Sequence, residues 1–130
     1  PPQQGFWLGQ YYDNPALMGR PVEVRLEKEL NFDWGAGSPA DSVPPDQVSV
    51  RWTQEIVLPA GDYRFFLEVD DGARFWIDGQ LYINEWHPPT GETYSVELPL
   101  AAGVHRLRVE YYEETENARV RLWGQVVQLP

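Results

Sequence analysis

Two adjacent aspartates, Asp70 and Asp71, stand where an apolar stretch ends, in the segment VDDGARFWIDG at residues 69–79. Neighbouring carboxylates repel each other, and a tight turn needs only one polar side chain to accept its amide hydrogens. A hard divalent cation such as calcium would remove that repulsion, because calcium is held by roughly six to eight oxygen ligands, often carboxylates. An ordinary solvated turn, with Gly72 supplying a positive φ, is the alternative interpretation of the same residues.

The remaining residues offer little for catalysis. The chain has no cysteine, and it lacks the motifs of zinc proteases, serine hydrolases, phosphate-binding loops and dinucleotide-binding loops. Of its two histidines, His87 lies in a Pro-rich loop, and His105 lies on the apolar side of an alternating stretch, where we expect a hydrogen-bonded structural histidine. Adjacent carboxylates rarely stand the ~5–9 Å apart that glycosidases require. We therefore predict that this chain is not an enzyme.

Composition restricts the partners that this chain can bind. The formal net charge is −10 over 130 residues, which argues against a nucleic-acid-binding surface, because phosphate contacts need clustered Lys and Arg. No apolar run is long enough to cross a membrane, so membrane insertion is not expected. The absence of cysteine rules out disulfides without fixing the compartment. The sequence opens at Pro1 with no Met, and we expect it to belong to a larger multidomain chain.

The fold that must position Asp70 and Asp71 is predicted to be all-β. Short alternating stretches are separated by clusters of Gly, Pro and Asp, and none of them has convincing helical spacing. An Asp78-Gly79 turn between two such stretches is a strong hairpin signal. The pattern indicates a single domain built as an antiparallel sandwich or barrel. The predicted strands are FWLGQYY, PVEVRL, LNFDW, QVSVRWTQEIVL, YRFFLEV, ARFWI, QLYIN, TYSVEL, VHRLRVEYY and a final strand pair within ARVRLWGQVVQL.

The same alternation predicts which side chains are buried. Trp34, Trp52 and Trp76 are expected in the core, because they lie within or beside strand patterns. Trp86 and Tyr82 belong to the hairpin and the loop after it, and they are candidates for stacking on a ligand, with core packing as the alternative for each. The positions predicted to face inward are Val48, Val50, Trp52, Tyr63, Phe65, Leu67, Val69, His105, Leu107, Val109 and Tyr111.

Several blocks of the sequence, in order, resemble the protective-antigen domain family, also called the PA-fourteen module. The central block is VDDGARFWIDGQLYINEW, and the others are YYDNPALMGRPVEVRLEKELNFDWGAGSP, VSVRWTQEI, GDYRFFLEVDDG and LAAGVHRLRVEYYE. The resemblance extends from about Gly5 to Gly124, and it predicts one domain over residues 1–130 with its core at about 5–124. Ordered blocks of this kind are more specific than one short motif.

The resemblance implies a twisted antiparallel β-sandwich of the kind found as a module in secreted glycosidases, toxins, proteases and adhesins. In the sugar-binding members, two adjacent aspartates joined by a cis peptide bind calcium, which in turn coordinates sugar hydroxyls. Asp70 and Asp71 fall on that motif. A late loop supplies further ligands in those members, and Asn117 is the best match here, with Glu113 and Glu116 as rivals.

The sequence therefore leads to one main hypothesis and two alternatives. The main hypothesis is a lectin-like, calcium-dependent carbohydrate-binding module, without catalysis, in an extracellular or cell-surface protein. Its partner would be a cell-surface glycan or a polysaccharide. One alternative is a structural or protein-docking domain without a sugar site. The other is an accessory domain that shapes the active site of a neighbouring glycosidase.

Overall fold

Ten β-strands form two antiparallel sheets in the computed structural model, which describes residues 6–35, 47–69, 72–86, 93–113 and 118–129. These residues contain no helix. The strands are β1 (Trp7–Tyr12), β2 (Glu23–Glu27), β3 (Asn31–Gly35), β4 (Val48–Leu58), β5 (Gly61–Val69), β6 (Gly72–Ile77), β7 (Gln80–Glu85), β8 (Thr93–Leu100), β9 (Gly103–Glu113) and β10 (Ala118–Gln128).

The two sheets pack face to face as a β-sandwich, which confirms the predicted fold class. The larger sheet has the strand order β2-β1-β4-β9-β6-β7, and the smaller has the order β3-β10-β5-β8. The two longest strands of the larger sheet, β4 and β9, pair from Val48 opposite Glu113 to Leu58 opposite Gly103. These two central strands carry alternating faces, one toward the smaller sheet and one toward solvent.

The inward faces predicted from alternation are confirmed. All eleven predicted positions on β4, β5 and β9 are buried, and Trp52 is fully enclosed. The Trp52 ring stacks on Phe32 of the opposite sheet, with centroids 5.7 Å apart. The predicted hairpin at Asp78-Gly79 is also confirmed, since both residues have positive φ (52° and 84°), as its two-residue turn requires.

Two predictions about the strands are wrong. The segment predicted as a final strand pair is one continuous strand, β10. Gly124 lies within this strand against Phe65, and a Cβ at Gly124 would come within 2.9 Å of that ring. Trp76 is not in the core, because β6 directs Phe75 inward and leaves Trp76 half-buried on the outer face. The side chain of Trp34 lies outside the described part of the structure.

A buried polar cluster ties the edge strand β2 to the core. Glu27 accepts hydrogen bonds from the Tyr11 hydroxyl and from Trp52 Nε1, the latter at 3.2 Å. Its carboxylate reaches them by crossing Gly9, where a Cβ would lie 2.5 Å from Oε1. Burial, together with this carboxylate, raises the pKa of Tyr11, and burial raises the pKa of Glu27.

Candidate functional site

Four connections between the described strands pass from one sheet to the other at the same end of the sandwich, namely β3–β4, β5–β6, β7–β8 and β9–β10. Two of them, β5–β6 and β9–β10, carry the residues predicted to bind calcium. Gly72 pairs with Tyr112 in the larger sheet, and Val69 pairs with Val120 in the smaller one. The strands that flank residues 70–71 are therefore hydrogen-bonded to the strands that flank residues 114–117. This end of the sandwich is called the crossover end below.

The ligands predicted for calcium belong to these two connections. Asp70, Asp71, Glu116 and Asn117 all lie outside the described residues, and so does the Asp70–Asp71 bond predicted to be cis. The strands that flank the two segments are paired at one end of the fold, although the segments are separated by more than forty positions in the sequence. Sequence reasoning reached this pairing through the family resemblance alone.

Gly72 is required where it stands because a tyrosine ring occupies the space beside it. A Cβ at Gly72 would lie 2.0 Å from Cε2 of Tyr112, a side chain that is itself only 5% exposed. Trp86 packs on the other side of Tyr112, with ring centroids 4.7 Å apart. An aromatic pair therefore adjoins the segment that carries Asp70 and Asp71. Tyr112 was not identified from the sequence as a site residue. Its position in the alternation of β9, out of phase with the inward residues, was the one sequence feature that could have indicated it.

Glu113 ends β9 as a fully buried carboxylate at the crossover end. Its Oε2 accepts a hydrogen bond from the Tyr111 hydroxyl at 3.0 Å. Within the described ranges, no group of three or more His, Asp or Glu side chains is arranged to hold a metal ion. Any metal site that uses Glu113 must therefore draw further ligands from residues outside those ranges.

The two aromatic residues proposed for sugar stacking lie in different settings. Trp86 follows β7 at the crossover end and is half-buried, and the guanidinium of Arg74 lies 3.9 Å from its ring centre. Tyr82 lies within β7 and packs partly against the core. Of the two, Trp86 adjoins the predicted calcium loop, because Ala73 pairs with Glu85 directly before it.

At the opposite end of β6, a histidine joins two hairpins. His105 is 7% exposed, and its Nδ1 and Nε2 each lie 2.6 Å from an oxygen, Asp78 Oδ2 and the Ala101 carbonyl respectively. Both partners are acceptors, so the doubly protonated imidazolium satisfies both contacts. Asp78 Oδ1 also accepts the backbone N–H of Arg106 at 2.8 Å. The prediction of a hydrogen-bonded structural histidine is confirmed.

This pair makes stability depend on pH. The hydrogen bond to Asp78 raises the pKa of His105, so its contribution is fully present below the unfolded-state value near 6.5 and is lost as pH rises through the folded-state value. Burial alone would raise the pKa of Asp78, but the bonds from His105 and Arg106 lower it overall. We expect the free energy of unfolding to fall by on the order of 1 kcal/mol between about pH 6 and about pH 9, a modest value because Asp78 is half-exposed.

Urea denaturation at several pH values measures this effect. In Asp78→Asn the decline attributable to His105 should flatten, whereas His87→Gln should leave it in place. The same decline in wild type and Asp78→Asn would assign the pH dependence to other groups.

The chain belongs to the PA14 domain family, whose model matches residues 2–127. It is 35% identical over 116 residues to the anti-sigma-I factor RsgI3 of Acetivibrio thermocellus, a match that covers 88% of this chain and 18% of that protein. Among solved structures, an anti-sigma factor domain-containing protein superimposes with a TM-score of 0.87 at 34% identity, covering 98% of this chain and 45% of the other.

A PA14 sugar-binding domain from an RTX adhesin has the same fold. Its TM-score is 0.79 at 16% identity, over 95% of this chain and 91% of the adhesin domain. The chain thus spans most of a separately solved PA14 domain but about a fifth of the length of the curated relative. No helix within the described residues is both long and apolar enough to span a membrane.

Proposed function

We propose that this chain is a carbohydrate-binding module without catalytic activity, and that it binds sugar through a calcium ion at the crossover end. Its ligands would be Asp70 and Asp71, with Asn117 from the β9–β10 connection. The calcium would supply a Lewis-acidic centre for pairs of sugar hydroxyls, and the loops around it would select the sugar. Trp86, and at a greater distance Tyr82, are the aromatic side chains proposed to contact the sugar.

One observation carries this proposal: the strand register sets the β5–β6 and β9–β10 connections between neighbouring strand pairs at one end of the sandwich. Calcium sites draw oxygen ligands from several backbone segments, and two neighbouring connections can supply them. The donor set fits a hard cation, because these segments offer carboxylate, amide and carbonyl oxygens and no thiol. The Asp70–Asp71 bond is proposed to be cis, which would let neighbouring carboxylates face one ion.

The relatives support the proposal that the module is part of a larger sensor protein. Two are anti-sigma factor proteins far longer than the matched region, and a third is a sugar-binding domain of an adhesin. We infer that the chain is the ligand-sensing part of a larger protein and lies outside the cell, where polysaccharides are met. A domain that docks other proteins and binds no sugar is the competing function.

A glycan and polysaccharide screen, run in calcium and again in chelator, tests the proposal. We expect saturable binding to at least one neutral sugar in calcium, with loss of that binding in chelator and in Asp70→Ala. Glu97→Ala removes a surface carboxylate from the smaller sheet and serves as the matched control. Binding that is equal with and without calcium would contradict the mechanism, and no binding to any glycan would favour the docking domain.

A further inference from the structure

The outer face of the larger sheet gathers positive charge in an acidic chain. Four of the nine arginines lie there, on the neighbouring strands β4, β9 and β6, although the chain carries a net charge of −10. Alternate residues of a strand share a face, and the register aligns Arg51, Glu110 and Arg74 in one row across the three strands. The arginine face is defined by Arg51, Arg74, Arg106 and Arg108.

One buried carboxylate serves three of these arginines. Glu110 has a side chain only 5% exposed, and its oxygens lie 2.9 Å from Arg51 Nε, 3.3 Å from Arg74 Nη2 and 3.5 Å from Arg108 Nη2. Among the described residues, no other carboxylate pairs with these three guanidinium groups, so the single charge of Glu110 compensates only one of the three positive charges. The fourth arginine, Arg106, has its own partner in Glu55 at 2.9 Å. The face therefore carries excess positive charge in its centre.

Within the part of the chain that the structure describes, two of the guanidinium groups also have a hydrogen-bond donor without an acceptor. The Nε atoms of Arg74 and Arg108 are buried and have no hydrogen-bond partner among the described residues. Their side chains are still 30% and 42% exposed. A buried N–H without an acceptor is unfavourable, so an anionic ligand that approaches and lets these side chains rearrange would be favoured.

Aromatic rings hold the guanidinium groups in place. Arg74 lies 3.9 Å from the ring centre of Trp86, and Arg108 lies 4.1 Å from that of Trp76. Stacking on an indole restricts the rotamers of a long side chain before any ligand arrives. Trp76, which was expected in the core, instead contacts Arg108 on the outer face. Stacking thus keeps both guanidinium groups on the outer face of the larger sheet, where a planar anion can reach their exposed parts.

A cleft of about 570 Å³ continues the arginine face. It shares Trp76 and Arg108 with the face, and Glu55, Asp78, Gly79, Val104 and Arg106 complete its lining. Its volume is within the usual range for small-molecule sites. It lies at the Asp78 end of β6, and the six residues of that strand separate it from the Gly72 end by ~20 Å.

We propose that the arginine face and this cleft form a second carbohydrate site, which binds the carboxylates of a uronate-bearing polysaccharide without calcium. A carboxylate matches the fork of a guanidinium in two parallel hydrogen bonds, and the indoles beside it suit the apolar faces of sugar rings. The site goes beyond the calcium-dependent function, since it uses none of the calcium ligands.

Binding of polygalacturonate, measured in chelator and at low salt, tests this proposal. Chelator is required because a polyuronate binds calcium itself. We expect saturable binding that weakens as salt rises, because the charges are partly exposed. Arg108→Gln should weaken it at least about tenfold, the effect of losing a charge-assisted hydrogen-bond pair. Arg106→Gln should weaken it severalfold, and Arg108→Lys should restore part of the affinity, since it keeps the charge and loses the fork.

The controls separate this site from general charge attraction and from the calcium loop. Arg64→Gln removes an equal charge from an exposed pair on the smaller sheet, so it should bind as wild type, and so should Asp70→Ala. The proposal is overturned by absent binding or by an equal loss in Arg64→Gln. Equal affinity for polyglutamate would overturn the proposal of a sugar ligand, because it would show that the site binds any acidic polymer. Equal affinity for neutral galactan would overturn the proposed role of the uronate carboxylate. If Arg108→Gln does not fold, polygalacturonate binding by Arg106→Gln tests the proposal, because the side chain of Arg106 is exposed.

Discussion

Millimolar calcium is expected to raise the melting temperature by about 8–14 °C above that measured in chelator. A ligand that binds only the folded state at a hundred times its dissociation constant adds about 2.7 kcal/mol to the free energy of unfolding. For a domain of this length, each kcal/mol moves the melting temperature by roughly 3–5 °C. Magnesium should have a smaller effect, because it demands a compact octahedral shell and gives up its water reluctantly. Thermal denaturation followed by circular dichroism measures both shifts.

Variants assign the shift to named residues. Asp70→Ala and Asp71→Ala should each abolish it while leaving the calcium-free protein unharmed or slightly stabilised, since the repulsion between the two carboxylates would be gone. Asn117→Ala should reduce the shift if the β9–β10 connection supplies a ligand. Glu97→Ala should retain the shift in full, because Glu97 is an exposed residue paired with Arg64 on the other sheet. An equal melting temperature of the wild type in calcium and in chelator would make the docking domain the better hypothesis.

Gly72→Ala is expected to destabilise the fold by about 3 kcal/mol, at the upper end for overpacking of a core position. The added methyl group would lie 2.0 Å from the ring of Tyr112, which is nearly buried and has Trp86 against it, so neither ring can move aside freely. The calcium-induced shift should shrink as well, because residue 72 immediately follows Asp71. Urea denaturation, with and without calcium, measures both effects.

A double-mutant cycle identifies the cause of that loss. Tyr112→Ala removes the ring that the new methyl group meets, so adding Gly72→Ala to it should cost much less than in wild type. Equal costs in the two backgrounds would mean that Gly72 is needed for backbone conformation and not for the close approach of Tyr112.

The sequence specified the sheets more fully than the outer face. Alternation with a period of two identified the inward residues of β4, β5 and β9, because a strand that packs on another sheet must direct every second side chain toward it. Asp78-Gly79 and His105 were predicted correctly on local grounds, as a turn requiring positive φ and as a polar residue on an apolar face.

The failures involve residues whose environment is set by distant parts of the chain. The segment 118–128 was predicted as a strand pair, yet it is one strand in which Gly124 leaves room for the Phe65 ring of a neighbouring strand. Trp76 was assigned to the core, yet Arg108 of β9 covers it on the outer face. The arginine face could not be predicted, since its residues are neighbours through pairing of β4, β9 and β6. Asp70, Asp71 and Asn117 came from the family resemblance and remain predictions.

A calorimetric titration of calcium into chelator-stripped protein tests the central claim most directly. It is run on the wild type, on the double variant Asp70→Ala/Asp71→Ala and on Glu97→Ala, and each titration is followed by the sugar found in the glycan screen. We expect one saturable calcium site per chain in the wild type and in Glu97→Ala, none in the double variant, and sugar binding only after calcium is bound. Equal calcium binding in all three proteins, or no calcium binding in the wild type, would contradict that claim.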